Sequence, residues 1–224
     1  MSANVAVTLS AEDEAKKTEL QAQYGDDCAF YAPPGLGLVA VAPPDDPRHY
    51  WTLFRALRAR GSDKANALAA FAVECVAYPG RDKAVAFLRQ KPAFAIAIAN
   101  RVKVLCGDEE QQGPALAAEE QGEVEELRKK HGEVTYYRPA GLGLLVLAAP
   151  STPASYRQFF NEISDGADQT GPRETFEQFA LDCVVHPARE RVQAFFRRKP
   201  ALAVKAAMAG QALCGGAVQE LGKD

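Results

Sequence analysis

The stretch Ala32-Pro33-Pro34-Gly35-Leu36-Gly37-Leu38 recurs 106 residues later as Arg138-Pro139-Ala140-Gly141-Leu142-Gly143-Leu144. Three later blocks, at 75–79, 89–93 and 105–107, recur in the same order 108 residues later. The kept order indicates a tandem duplication, with two residues inserted after Ile163. The period is too long for a solenoid repeat and suits one domain per copy. We predict domains at 1–107 and 119–224, joined by a linker at 108–118.

Each copy is predicted to hold a polar helix, a β-hairpin and four further helices, so the fold class is α+β and mainly helical. The opening helices span 12–24 and 119–131, and Gly25 and Gly132 end them. Apolar runs flank each Gly-rich turn, which is typical of a hairpin. Because two strands alone are only marginally stable, we expect each hairpin to pack on helices or to pair with another sheet.

Prolines mark the boundaries of the later helices. Asp46-Pro47 and Thr152-Pro153 are predicted helix starts. The apolar stripe that follows has i, i+3, i+4, i+7 spacing, at Tyr50, Leu53, Phe54 and Leu57 and at Tyr156, Phe159, Phe160 and Ile163. We predict that the next helix continues through Cys75-Val76, and Cys183-Val184, until Pro79 or Pro187 ends it. The third helices run to Pro92 and Pro200. The last ones, Ala-rich and predicted helical in both copies, end at Cys106-Gly107 and Cys214-Gly215.

Composition excludes several classes of function. With 224 residues, 47% hydrophobic and 25% charged, the chain is an ordinary globular one. Its net charge of −3 gives no general electrostatic case for nucleic acid. The sequence shows neither a secretory signal nor an apolar run of the ~20 residues that a membrane span needs. We therefore expect a cytoplasmic protein that binds neither nucleic acid nor membrane.

The five cysteines form no metal-binding pattern. Cys75 and Cys106 are matched by Cys183 and Cys214, while Cys28 has no counterpart. No CxxC is present and no histidine is repeated, so a zinc site is not expected. Reduced, buried cysteines are the favoured interpretation, and a disulfide within each copy is the alternative.

Three kept features are candidates for chemistry. The Gly35-Leu36-Gly37 and Gly141-Leu142-Gly143 motifs lack the third glycine and following helix of a dinucleotide site, which favours a hairpin turn. The acids Glu74 and Asp182 have no kept base beside them in sequence, which favours a surface role over general acid/base catalysis. The basic residues interpreted as a solvated helix face, with an acidic partner or nucleic acid as the alternative, are Arg81, Arg89, Lys91, Arg189, Arg191, Arg197, Arg198 and Lys199.

One aromatic residue departs from the repeat. Trp51 aligns with Arg157, which places it outside the shared core. We expect a partly exposed side chain that serves as an interface anchor or packs between the two halves. The sequence predicts no catalytic, cofactor-binding or metal-binding residue, and no cofactor.

In the order of these elements, each half resembles the small tail assembly chaperones of tailed bacteriophages and related tail-like particles. The shared order is a polar helix, a hairpin, a Pro-led helix with Tyr and Phe, a helix to Cys-Val-x-x-Pro, a charged helix to Lys-Pro and an Ala-rich helix ending at Gly. The resemblance rests on the Cys-Val-x-x-Pro and Lys-Pro motifs. They lie at 75–79 and 91–92 in the first half, and at 183–187 and 199–200 in the second. The chain differs by containing the domain twice.

The resemblance implies a protein that is not an enzyme. Such chaperones bind the long helical tape measure protein and help tail tube subunits polymerise around it in the host cytoplasm. Two domains in tandem would bind successive segments of one partner. The rival hypothesis is a structural or adaptor protein of the particle, with the halves acting as a pseudo-dimeric interaction module. Self-association of the chain stays open.

Overall fold

A computed structural model of the chain describes residues 9–108, 116–164 and 172–216. Within it the chain divides into two compact units, Met1–Cys106 and Gly107–Asp224. The predicted linker falls mostly outside the described residues, which include only 108 and 116–118 of it. Residues 165–171, around the predicted two-residue insertion, also fall outside. The prediction of an α+β, mainly helical protein is confirmed.

The first unit combines α-helices with a three-stranded sheet. Its elements are α1 (Ala11–Tyr24), β1 (Ala29–Tyr31), β2 (Val39–Val41), α2 (Arg48–Arg58), α3 (Lys64–Glu74), β3 (Val76–Tyr78), α4 (Arg81–Gln90) and α5 (Pro92–Leu105). The sheet is antiparallel with the order β1-β2-β3. Helices α2, α4 and α5 each pack against α3, and α4 also packs against α5.

The second unit repeats this arrangement. Its elements are α6 (Ala118–His131), β4 (Val134–Tyr137), β5 (Leu145–Ala148), α7 (Pro153–Ser164), α8 (Pro172–Cys183), β6 (Val184–His186), α9 (Arg189–Arg198) and α10 (Pro200–Gln211). The sheet order β4-β5-β6 is again antiparallel. Helix α10 packs against α8 and against the sheet at β5.

The central strand of each sheet is buried on both faces, which explains its unbroken apolar sequence. All four residues of β5 are buried, as are all three of β2. On one face of the second sheet, a cluster built from Val124 of α6 with Val134, Leu144, Val146 and Ala148 joins the polar opening helix to the strands. Val124 is the buried residue of α6, and the partly buried Leu116 and Leu127 also pack against this cluster.

The Gly-rich repeats form the hairpin turns, as predicted. Gly35 and Gly37 have φ of 91° and 77°, and Gly141 and Gly143 have 84° and 83°. Only glycine adopts these backbone conformations without strain, so the turn geometry accounts for both glycines of the motif. The Leu36 N–H donates to the Pro33 carbonyl at 3.2 Å, and Leu142 donates to Pro139 at 3.1 Å.

Except at the end of the second helix of each unit, helix starts and ends lie close to the predicted boundaries. The Asp46 carboxylate accepts a hydrogen bond from the Arg48 N–H at 2.9 Å at the start of α2. Hydrogen bonds from the Arg48 side chain and backbone lower the pKa of Asp46 to about 2. In the second unit Thr152 instead contacts the Ser155 hydroxyl at 3.2 Å. The last segments, predicted to be helical up to Cys106-Gly107 and Cys214-Gly215, are α-helical over Pro92–Leu105 and Pro200–Gln211.

The prediction that the second helix continues to the Cys-Val-x-x-Pro proline was wrong. Helix α3 ends at Glu74 and α8 at Cys183, and the strands β3 and β6 follow before the proline. Ala40 pairs with Tyr78, and Val146 with His186. Without this strand the buried central strand would have an unpaired edge, so the third strand stabilises a hairpin that is marginal alone.

The expectation that Trp51 is partly exposed was also wrong, because its side chain is only 3% exposed. It lies in an aromatic cluster of the first unit, with ring centroids 5.7 Å from Tyr50 and 5.6 Å from Phe54. It therefore belongs to the core and offers no anchor for a partner.

We expect the emission of Trp51, the one tryptophan of the chain, to be blue-shifted relative to the denatured chain. Acrylamide should quench it slowly, because burial keeps the quencher from the indole. Emission and quenching equal to those of the denatured chain would contradict this placement.

Candidate functional site

The second unit contains a cleft of about 790 Å³ between α7, α8 and α9. Its volume lies within the range of roughly 300–1,000 Å³ that is usual for ligand sites. Its lining residues are Ser155, Gln158, Phe159, Glu162, Arg173, Glu174, Thr175, Glu177, Gln178, Phe179, Leu181, Asp182, Gln193 and Arg197. The cleft therefore combines an aromatic part with many charged and hydrogen-bonding groups.

Two phenylalanines form the apolar base of the cleft. The Phe159 ring of α7 stacks on the Phe179 ring of α8, with centroids 4.2 Å apart and an interplanar angle of 11°. One face of α7 lines the cleft. Its lining residues have i, i+3, i+4, i+7 spacing, at positions 155, 158, 159 and 162. Both phenylalanines are buried, so this base is a packed part of the unit's core.

One wall is organised around Glu162. Its carboxylate accepts hydrogen bonds from the Thr175 hydroxyl and, at 2.9 Å, from the Gln158 amide. Thr175 is only 7% exposed, and its hydroxyl is used in the hydrogen bond to Glu162. Both donors are neutral, so they orient the Glu162 carboxylate without neutralising its charge.

Two other carboxylates of the wall have arginine partners. The Arg173 Nε donates to Glu177 at 3.0 Å, one turn along α8. Asp182 accepts from Gln178 at 2.8 Å and from Arg189 of α9 at 3.0 Å. The cleft thus offers oriented charges, which suit binding. Its described lining residues include no histidine, cysteine or lysine.

The first unit has mostly alanines where the second unit has these polar residues. Ala56, Ala65, Ala69 and Ala70 occupy the positions of Glu162, Arg173, Glu177 and Gln178 in the internal alignment. Two charged positions of the cleft are kept in both units. They are the acid at 74 and 182 and the arginine at 89 and 197. The sequence contains these polar residues of the cleft. Comparing the two copies for shared polar residues does not identify them, because they occur in the second copy only.

The kept acids and arginines form an ion pair in both units. Arg81 donates to both carboxylate oxygens of Glu74, at 2.7 Å for its Nη1, and Arg189 pairs with Asp182. Each pair connects the end of the helix before the third strand with the start of the helix after it. This contact favours the predicted surface role of Glu74 and Asp182, since each acid is held by its own unit's arginine.

In a double-mutant cycle, replacing Arg81 and Glu74 by alanine should show a coupling free energy of about 0.2–1 kcal/mol, the usual range for partly exposed pairs. The Arg189 and Asp182 cycle should give the smaller value, since Arg189 donates one hydrogen bond there and Arg81 donates two. Arg60→Ala, at an exposed loop position, is the control and should change the unfolding free energy by less than about 0.5 kcal/mol. Zero coupling in both cycles would show that the kept pairs do not stabilise the fold.

Other basic residues of α9 are used within the second unit. Arg191 donates to the Leu142 carbonyl at 2.9 Å and so holds the hairpin turn against α9. The Arg198 guanidinium lies 5.6 Å from the Phe195 ring centroid. Lys199, placed by the sequence on a solvated face, is only 5% exposed, and its Nζ lies 6.0 Å from the same ring centroid.

All five cysteines are free in the structure, which favours buried thiols over the disulfide alternative. Cys75, Cys106 and Cys183 are buried. Burial, with a smaller effect from the neighbouring Cys214, raises the pKa of Cys183 to about 12. Burial likewise raises the pKa of Cys75 well above its usual range. Such thiols are protonated at neutral pH and serve as apolar core groups rather than nucleophiles.

No cluster of three or more His, Cys, Asp or Glu side chains suited to a metal ion is found within the described ranges. Across the same residues, no helix combines the length and the apolar character that crossing a bilayer requires. No family model, curated protein or solved structure matches this chain. Any inference about function is therefore based on the sequence and the structure of this chain.

Proposed function

We propose that this chain is a non-enzymatic, tail assembly chaperone-like protein. It binds a long helical partner of the tape-measure type during assembly of a phage tail or phage-tail-like particle, in the cytoplasm of the bacterial host. The proposal requires neither a cofactor nor nucleic acid. The observation that supports it most is that both units repeat the order of elements on which the resemblance rests.

That order is present with one difference, since a third strand, β3 or β6, stands where the end of the second helix was predicted. In each unit a polar helix and a hairpin precede a helix whose apolar stripe contains aromatic residues, of which Tyr50 and Phe159 are buried. The Cys-Val-x-x-Pro segment then completes the sheet, and two helices meet at the Lys-Pro step between α4 and α5, or α9 and α10. The motifs therefore lie at connections between secondary-structure elements, where a change of residue would disturb the fold.

The division of the chain into two similar units suits a long partner. A protein with repeated amphipathic segments presents many equivalent binding sites, and two linked modules raise the overall affinity through effective concentration. The units differ where α3 carries alanines and α8 carries polar residues. We therefore expect the two units to prefer segments of different polarity.

Affinity purification of the tagged chain from its native producing cells, analysed by mass spectrometry beside purified particles, tests the proposal. We expect a very long, mainly helical protein to be enriched over a tag-only control, and the chain itself to be missing from finished particles. Failure to enrich any extended helical protein would count against a chaperone function.

The duplication favours one second candidate, a structural or adaptor protein of the same kind of particle. Two units of one fold in a single chain would suit a pseudo-dimeric interaction module, as a joint between repeated components requires. The same experiment separates the two functions. A structural component remains in finished particles at a fixed ratio to other components, whereas an assembly chaperone leaves.

A further inference from the structure

We propose that the cleft between α7, α8 and α9 binds a helical segment of the protein partner that presents a lysine or arginine beside an apolar face. The inference rests on the proposed function for the nature of the partner, and on the cleft for the chemistry of the segment. It assigns the second unit, and not the first, as the unit that recognises a basic side chain.

The size of the cleft limits what it can hold. A helix with its side chains is about 10–12 Å across, so about 790 Å³ takes a few side chains of a helix and not the helix itself. The partner helix would lie over the opening and insert one long side chain. Helix-in-groove binding of this kind uses anchors at i, i+3 or i+4, and i+7.

The charges of the lining favour a cation in that position. Four carboxylates line the cleft against two arginines, and the acids are Glu162, Glu174, Glu177 and Asp182. Arginines pair with Glu177 and Asp182, whereas the donors to Glu162 are the neutral Thr175 and Gln158. Because its carboxylate is oriented and its charge is not neutralised by those donors, Glu162 is the acceptor we assign to the incoming ammonium or guanidinium.

Apolar surface at the flank of the cleft fits the rest of such a segment. Phe160, next to Phe159 on α7, is 47% exposed. In the first unit the equivalent Phe54 is covered by Trp51 and by Arg58, whose guanidinium lies 5.3 Å from the ring centroid. The aligned positions in the second unit hold Arg157 and Ser164. The second unit thus combines an exposed aromatic ring with an acidic cleft on one helix.

The probes for a direct test are three synthetic helical peptides of leucine and alanine that differ at one position of the apolar face. That position holds lysine, glutamine or glutamate. Binding to the full chain is measured by fluorescence anisotropy at low and at moderate salt. We expect the lysine peptide to bind about tenfold more tightly than the glutamine peptide, since a charged hydrogen bond contributes about 1.5 kcal/mol or more. The glutamate peptide should bind most weakly.

Glu162→Gln should remove this preference, because glutamine carries no charge. Its one amide oxygen can still accept from Gln158, and its NH2 group can donate to the Thr175 hydroxyl in place of the lost hydrogen bond. Glu126→Gln, at an exposed position of α6 outside the cleft, is the matched control and should leave the preference unchanged. Circular dichroism checks that both variants fold. Equal binding of the three peptides, no binding of any, tighter binding of the glutamate peptide, or a preference that survives Glu162→Gln would each overturn the proposal.

Repeating the pull-down with the Glu162→Gln variant separates this inference from the proposed function. If the original chain and the variant recover the same helical partner equally, the assignment of the cleft is wrong while the function stands. If the original chain recovers no such partner, the function fails, and the peptide measurements alone decide whether the cleft binds a basic helix.

Discussion

Phe159→Ala is expected to lower the free energy of unfolding by about 3–5 kcal/mol, the cost of truncating a well-packed core phenylalanine. The side chain is only 2% exposed. Its ring stacks on Phe179 and makes an edge contact with Phe176 at 5.4 Å between centroids, so one substitution removes two aromatic contacts and leaves a cavity between α7 and α8. Domains are stable by only about 5–15 kcal/mol, so a large part of the unit's stability would be lost.

Phe160→Ala is the matched control, because it removes the same side chain at the next position of the same helix. Since Phe160 is 47% exposed, we expect an effect below about 1 kcal/mol. Urea unfolding followed by far-UV circular dichroism measures both variants, and Trp51 fluorescence follows the first unit in the same samples. Similar losses for the two variants would show that the aromatic stack is not the core of the second unit.

Local patterns predicted the helices and the hairpins because the signals are local. Gly25 and Gly132 end the opening helices, and Pro92 and Pro200 start the last ones. The third strand was missed for the opposite reason. Val76 pairs with Val41, which lies far away in sequence, and three residues after a helix show no periodicity of their own. The sequence predicted a hairpin that needs a further partner, but it did not identify the third strand as that partner.

The cleft shows a different limit of sequence patterns. Its polar residues come from three helices, and the internal alignment shows them only as exchanges such as Ala56 for Glu162 or Ala69 for Glu177. Exchanges of alanine for a charged residue are also common on solvated helix faces. Only the packing of α7 on α8 shows that these side chains converge. The prediction for Trp51 failed for a related reason, because a residue that is unmatched in the repeat can still be part of the core of its own unit.

Gly210→Ala should destabilise the chain, although alanine is the better helix former by about 0.5–1 kcal/mol. A Cβ at this position would lie 2.3 Å from the Cys183 Sγ and 3.2 Å from its Cβ, so α8 and α10 would have to separate. Overpacking of this kind costs about 1–3 kcal/mol, and that cost exceeds the gain in helix propensity. The equivalent residue of the first unit is Val102, so close approach at this point is particular to the second.

Three further variants, Gly122→Ala, Cys183→Ala and the double variant Gly210→Ala with Cys183→Ala, separate overpacking from helix propensity. Gly122→Ala in α6, where nothing lies within 4 Å of the added Cβ, should raise the unfolding free energy by up to about 1 kcal/mol. Adding Cys183→Ala to Gly210→Ala removes the sulfur that the new Cβ meets, so the double variant should lose less stability than the two single losses together. Urea unfolding of all four variants measures that coupling. Additive losses would mean that the sulfur is not what excludes a side chain at 210, and that the packing of α8 against α10 at Cys183 is looser than the structure has it.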